Sequence, residues 1–183
     1  SKKPDWIAAR AEELRAGGHM ARLIILTRDG RAVVNSRLRK YPDRDAASQI
    51  TEWMEQITAA RALAADFPGE VLNLAYEELA TRPEDTARRL AAFIGAPFNA
   101  SMLAFSSREH HPLGGNNGTQ FLAARGQQGG ADVQPGARSA AYYRDHPDAI
   151  RLDLRWKEEL HDTHAALFEQ MAGSLNQSMK WEF

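Results

Sequence analysis

Apolar positions recur with two different periods along this chain, and the switch between them predicts its elements. Pro4 to Ala16 has Ile7, Leu14 and several alanines on one helical face, with a proline and an aspartate suited to a first turn and Gly17-Gly18 to a stop. Arg22 to Thr27 is instead a continuous apolar run, Leu-Ile-Ile-Leu between its ends, which predicts a strand buried on both faces. The strand gives way at Arg28-Asp29-Gly30 to a helical stretch from Arg31 to Arg39. Helix, strand, tight turn and helix in that order mark a parallel α/β sheet.

The alternation then repeats. Asp45 to Asp66 places Ile50, Trp53, Met54, Ile57, Ala60 and Leu63 mostly three and four residues apart, the spacing of an amphipathic helix, and Pro68-Gly69 end it. Glu70 to Tyr76 reads as a second strand with Tyr76 at its carboxyl end, and Glu77 to Ala80 as a short helical turn. In Thr81-Arg-Pro-Glu84 a threonine is followed three residues later by a glutamate, so a capping box is expected to open a helix that runs to Ile94 and stops at Gly95. Ser106 to Pro147 is rich in glycine, glutamine and asparagine and has little periodicity, which predicts a long functional loop. Asp153 to Leu160 and Asp162 to Met179 read as helices, and Trp53 and Trp156 lie on apolar faces expected to form core.

Composition narrows the class. With 183 residues, one domain is expected, and 43% hydrophobic residues suffice for a sizeable core. A formal net charge of -1 argues against a general nucleic-acid binder, so any anion site must be local. The chain has no cysteine, which excludes disulfides, thiolate zinc sites and a cysteine nucleophile. Adjacent His110 and His111 lack the i, i+4 spacing of a helical zinc pair, and no metal is expected. Apolar stretches such as Leu23 to Leu26 are too short to span a bilayer, and the first residues lack the apolar core of a secretory signal, so a cytoplasmic protein is expected.

The candidate chemistry lies in Leu26-Thr-Arg-Asp-Gly-Arg-Ala-Val-Val-Asn-Ser36. Ligands of open α/β sheets collect at the carboxyl ends of strands, which is where Arg28 falls. Ser36 follows about two helical turns into the next helix. A forked, permanently charged guanidinium and a neutral hydroxyl at those places suit one phosphate. The competing reading is a structural ion pair between Arg28 and Asp29, with Ser36 an incidental helix residue.

This run resembles the 3'-phosphate-binding motif of the sulfotransferase family, an arginine-aspartate-(proline)-arginine-alanine stretch with a serine eight positions after the first arginine. Further segments are similar to the family in the same order: Ser1-Lys2 to its strand-end serine-lysine, Ala75-Tyr-Glu-Glu-Leu79 to its tyrosine-glutamate-acidic-leucine stretch, and Pro83 to Pro97 to the helix that follows. His111-Pro-Leu-Gly-Gly-Asn116 resembles a loop that bacterial members place over the 3'-phosphate, and Asp153 to Leu160, with Trp156, their C-terminal helix. The resemblance implies a P-loop-NTPase-like three-layer α/β fold with a central parallel sheet, incomplete at its N-terminus and helix-rich in its C-terminal half. It implies one sulfotransferase-like domain over residues 1–183, with a long loop at about 106–147. It implies a bacterial enzyme that transfers a sulfuryl group from 3'-phosphoadenosine 5'-phosphosulfate (PAPS) to a hydroxyl or amine of a small-molecule, glycan or lipid acceptor, with no nucleic-acid or membrane partner evident. In that reading Arg28, Ser36, Tyr76, Gly114, Gly115 and Asn116 bind the nucleotide and Lys2 stabilises the leaving phosphate. His110 and His111 are candidate bases. Arg37-Leu-Arg-Lys40 reads as a solvated helix end or as a guide for the anionic donor.

Two departures qualify the resemblance. Nothing before Arg28 resembles the family's glycine-rich 5'-phosphosulfate loop, so the sequence corresponds to the family's C-terminal part. Gln120 stands where bacterial members carry an arginine, for which Arg125 is the candidate replacement. A P-loop-type kinase and a non-catalytic partner-binding fragment are the competing functions.

Overall fold

The computed structural model describes residues 4–104 and 151–182. The expected loop at 106–147 lies outside them, as do Lys2, His110, His111, Gly114, Gly115, Asn116, Gln120 and Arg125. The chain divides into two compact units, Ser1–Thr81 with Leu152–Phe183, and Arg82–Arg151.

The first unit is α/β, with helices around a small parallel sheet. Helix α1 (Pro4–Ala16) leads to strand β1 (Arg22–Thr27), helix α2 (Gly30–Lys40) and helix α3 (Ala46–Asp66). Strand β2 (Glu70–Ala75) passes directly into helix α4 (Tyr76–Thr81). The C-terminal residues add a single turn, α6 (Trp156–Glu159), and helix α7 (Asp162–Asn176), shorter than the Asp153–Leu160 and Asp162–Met179 stretches that periodicity suggests. Among the described residues β1 and β2 pair alone, in parallel, from Arg22 opposite Glu70 to Thr27 opposite Ala75. This register aligns the two strand ends, so Arg28 and Tyr76 each stand one residue beyond a paired position.

Burial corrects the reading of β1 as covered on both faces. Leu23 is buried and Ile25 and Thr27 are half-buried, but Ile24 and Leu26 are 43% and 57% exposed. An uninterrupted apolar run carries no period to say which face is open, and the face of β1 that carries Leu23 and Ile25 is the more covered one. On α1 it is Ala11 that is buried, while Leu14 is exposed.

The core forms where α2, α3 and α7 meet. Val34, Ile50, Trp53, Phe168 and Ala172 are its buried members, with the Trp53 and Phe168 rings 5.3 Å apart between centroids and tilted by 51°. Gly30 opens α2 against these rings. A Cβ at this position would lie 2.5 Å from both Phe168 and Trp53 carbons, inside any allowed contact. Trp53 is core as the pattern predicts; Trp156 is only half-buried and serves instead as a platform for Arg31, whose guanidinium carbon lies 4.1 Å from the ring centroid.

The second unit contains helix α5 (Pro83–Ile94) and a 3-10 turn (Ala100–Leu103). The capping box expected at its start does not form. The Thr81 hydroxyl donates to the Glu77 carbonyl within α4 (2.7 Å), and Glu84 pairs with Arg88. Pro83 begins the helix without a side-chain cap, and Gly95 ends it in the left-handed conformation at φ 76.

Candidate functional site

The turn between β1 and α2 is organised by Asp29, which has no solvent exposure. Its Oδ1 accepts from the Arg31 backbone amide (2.9 Å) and from Arg31 Nε (3.0 Å), and its Oδ2 from an Arg31 terminal nitrogen (2.6 Å). Asn176 Nδ2 and the Trp181 backbone amide complete the shell at 3.2 and 3.0 Å. Burial pushes the carboxyl up, but the Arg31 hydrogen bonds and charge and the Trp181 amide outweigh it and hold Asp29 below the usual carboxylate range. The ion pair of this turn is thus Asp29 with Arg31, and not Asp29 with Arg28. The backbone amides of the turn are also fixed from outside it: that of Asp29 donates to Glu77 Oε1 (3.0 Å) and that of Gly30 to Asn176 Oδ1 (2.8 Å). Burial raises the Glu77 carboxyl, an effect opposed by the Asp29 amide and the Arg28 charge.

Released from Asp29, Arg28 faces Tyr76 and Asp153. Its guanidinium carbon lies 4.4 Å from the Tyr76 ring centroid. One terminal nitrogen donates to the Asp153 carbonyl (3.0 Å) and lies 3.4 Å from Asp153 Oδ2. The Tyr76 hydroxyl accepts from the Asp153 backbone amide (3.2 Å). The Arg28 Nε is shielded from solvent and has no hydrogen-bond partner among the described residues. An unsatisfied buried donor costs about 1–3 kcal/mol, which an acceptor oxygen would recover.

Asp153 repeats the arrangement seen at Asp29. Its Oδ1 accepts from the Arg155 amide (3.3 Å) and Nε (2.7 Å), and its Oδ2 from an Arg155 terminal nitrogen (2.7 Å). Burial would raise its carboxyl, but the Arg155 hydrogen bond and charge, with a contribution from Arg28, hold it down to about 2.

Of the residues singled out in the sequence, the structure brings Arg28 and Tyr76 together at the aligned strand ends. Ser36 is exposed on α2, and no hydrogen bond joins it to Arg28. Its neighbour Asn35 is buried and donates to Glu159 Oε2 (2.8 Å). Arg37 is not a purely solvated helix end, since it bonds the Gln49 carbonyl (3.2 Å) and Gln56 (2.6 Å) on α3. Asp153, Arg155 and Glu77 were not singled out by sequence reasoning. The signal available was an aspartate two residues before an arginine, present in both Asp29-Gly-Arg31 and Asp153-Leu-Arg155. Two surface hollows lie elsewhere, one lined by α1 and α3 residues such as Pro4 and Leu63, the other by Met54, Ala62 and Met171; neither includes Arg28 or Tyr76. Among the described residues there is no cluster of metal-ligating side chains and no helix long and apolar enough to cross a membrane.

Residues 10–100, from α1 through β1, the Arg28 turn, β2 and α5, match the profile of the sulfotransferase family. A Caenorhabditis elegans protein named "Putative protein-tyrosine sulfotransferase" is 28% identical over 89 residues, covering 45% of this chain and 34% of the relative. A Caenorhabditis briggsae protein of the same name is 27% identical over 99 residues, covering 51% of this chain and 34% of the relative. The chain therefore spans about a third of the length of the curated relatives it matches. No solved structure matches it.

Proposed function

Residues 10–100 place this chain in the sulfotransferase family, and on that premise we propose that the protein binds PAPS through Arg28 and transfers its sulfuryl group to an acceptor hydroxyl or amine. The observation that carries this reading is Arg28 itself. It stands one residue past a parallel strand, beside Tyr76 and with an Nε that has no partner among the described residues, inside the matched segment. A guanidinium is always charged and forked, so it suits the dianionic 3'-phosphate of the donor ribose. The Tyr76 ring limits where that fork points, and its hydroxyl, already near Asp153, lies within the same cluster. Ser36 adds a neutral hydrogen bond in this proposal, reached by a nucleotide that bridges the strand end and the exposed side of α2.

The reaction is an in-line displacement at sulfur. An acceptor oxygen or nitrogen forms the new bond as the bond from sulfur to the bridging phosphate oxygen breaks, and the acceptor proton passes to a base. The leaving group is adenosine 3',5'-bisphosphate, whose growing charge Lys2 is proposed to stabilise. Gly114, Gly115 and Asn116 are proposed to bring backbone amides to the 3'-phosphate, and His110 or His111 to take the acceptor proton. The small parallel sheet belongs, in this reading, to a P-loop-NTPase-like three-layer domain, and the protein is proposed to act in the cytoplasm. The acceptor is a small-molecule, glycan or lipid hydroxyl or amine, to which the names of the two nematode relatives add a peptide tyrosine phenol.

The test is nucleotide-dependent stability of the full protein. At about a hundred times its dissociation constant, adenosine 3',5'-bisphosphate is expected to add about 2.7 kcal/mol, and Arg28→Ala to remove most of that gain. A melting curve indifferent to millimolar nucleotide overturns the assignment. Transfer of radiolabelled sulfur from PAPS to a panel of glycan, lipid, phenolic and tyrosyl-peptide acceptors identifies the acceptor class.

A further inference from the structure

The amides at the start of α2 are engaged by the protein itself. That of Asp29 donates to Glu77 Oε1 (3.0 Å), that of Gly30 to Asn176 Oδ1 (2.8 Å) and that of Arg31 to Asp29 Oδ1 (2.9 Å). A helix start with free amides is a ready site for an anion. Here side chains fill those places, so these three amides fix the turn, and an anion at the strand ends meets the side chain of Arg28. What matters for binding is then how accurately the turn presents that side chain.

Asn176 is the member of this shell that holds two parts of the turn at once. Its Oδ1 accepts from the Gly30 amide, and its Nδ2 donates to Asp29 Oδ1 at 3.2 Å. It is 1% exposed and is the last residue of α7. Phe168, Ala172 and Asn176 follow at four-residue steps, so they share one face of that helix, and all three are buried. The packing that seats Phe168 against Trp53 therefore also fixes where the Asn176 amide stands.

We propose that Asn176 is a positioning residue for nucleotide binding: its side-chain amide, carried on the core face of α7, locks the Asp29-Gly30 backbone and so sets where Arg28 holds its guanidinium. Asn176 acts through the turn and does not touch the nucleotide. The proposal rests on the sulfotransferase reading for the identity of the ligand. It goes beyond that reading by giving α7, which lies outside the segment matched to the family, a part in binding. The chemistry of the position is specific. An amide supplies one donor for Asp29 and one acceptor for Gly30. A protonated carboxyl supplies the same pair. An ionised one has no donor and sets a second negative charge against Asp29.

Calorimetric titration of the full protein with adenosine 3',5'-bisphosphate tests this, at temperatures where melting curves without nucleotide show each variant folded. Asn176→Ala is expected to weaken binding about tenfold. Asn176→Asp should make the affinity depend on pH. It should bind like the parent near pH 5, where the two facing carboxyls share a proton, and about tenfold or more weakly near pH 8, where both are ionised. The parent titrated at the same pH values is the reference, because the phosphate itself takes up a proton at about pH 6. A merely structural Asn176 would lower the unfolding midpoint and leave the affinity of the folded protein at the parent's value throughout, and that result overturns the proposal. If Asn176→Ala does not fold, the pH series of Asn176→Asp decides alone over the range in which it is folded: an affinity relative to the parent that falls as the pH rises supports the role, and a flat ratio overturns it. Parent-like binding by the Asn176 variants, with binding still lost in Arg28→Ala, leaves the sulfotransferase reading standing. No binding by the parent protein overturns both.

Discussion

The carboxylate of Asp29 accepts a hydrogen bond from the backbone amide of Trp181, a residue 152 positions further along the chain, at 3.0 Å. Together with Asn176 this contact fastens the end of the chain to the turn that presents Arg28. Asp29→Ala would leave the Arg31 guanidinium, the Trp181 amide and the Asn176 amide group without their shared acceptor. Breaking a buried pair in this way costs about 3–5 kcal/mol, and Asp29→Asn should cost less because one acceptor oxygen survives. Urea unfolding of the two variants against the parent measures the difference.

Gly30→Ala tests the contact between α2 and the two core rings. The added methyl would meet Trp53 and Phe168 at 2.5 Å. Overpacking of this kind costs about 1–3 kcal/mol. In the double variant with Phe168→Leu the two losses should sum to less than their separate values, because the smaller side chain makes room. A double-mutant cycle by thermal or denaturant unfolding reads the coupling.

Acid stability should depend on Asp153. Its carboxyl is held down to about 2, below its value in an unfolded chain, so it stabilises the fold above pH 4 and that contribution fades as the pH falls toward 2. The loss is about 1–2 kcal/mol once solvent screening is allowed for. Asp29, also lowered, acts in the same direction. Glu77 acts oppositely: its carboxyl is raised, so ionising it works against the fold as the pH climbs through its folded value. Denaturation midpoints between pH 2.5 and 7 should show a shallower acid decline for Asp153→Asn than for the parent protein.

Glu84→Ala distinguishes a capping box from an exposed ion pair. A working box at the start of α5 would make the change cost about 1 kcal/mol. In the structure Glu84 pairs with Arg88 on the solvent side, both side chains 56% exposed, and the expected loss is at most about 0.5 kcal/mol. Denaturant midpoints of Glu84→Ala and the parent measure it.

The elements that repeat locally were legible in the sequence. Periodicity gave β1, α2, α3 and β2 nearly to their ends, because an apolar run followed by a glycine-marked turn and a 3.6-residue pattern leaves few alternatives. Arg28 and Tyr76 were legible for the same reason: a strand's end can be found wherever the strand can. What was hidden depends on distance along the chain. Nothing near Asp29 announces that Asn176 and Trp181 close its shell, or near Arg28 that Asp153 is its partner. The open face of β1 was hidden because Leu-Ile-Ile-Leu has no polar residue to mark it. The partner of Asp29 was not legible either, since an arginine stands on each side of it and only the one two residues on brings both its amide and its fork to the same carboxylate.

The uncovered face of β1 has a consequence for handling the protein. Ile24 and Leu26 stand in water beside an edge whose backbone, among the described residues, pairs with β2 alone. Aliphatic side chains next to an open edge invite strand addition between molecules, so dilution should disperse assemblies that concentration builds. Light scattering across a concentration series would follow that growth, and a lysine in place of Leu26 should suppress it without disturbing the core around Trp53.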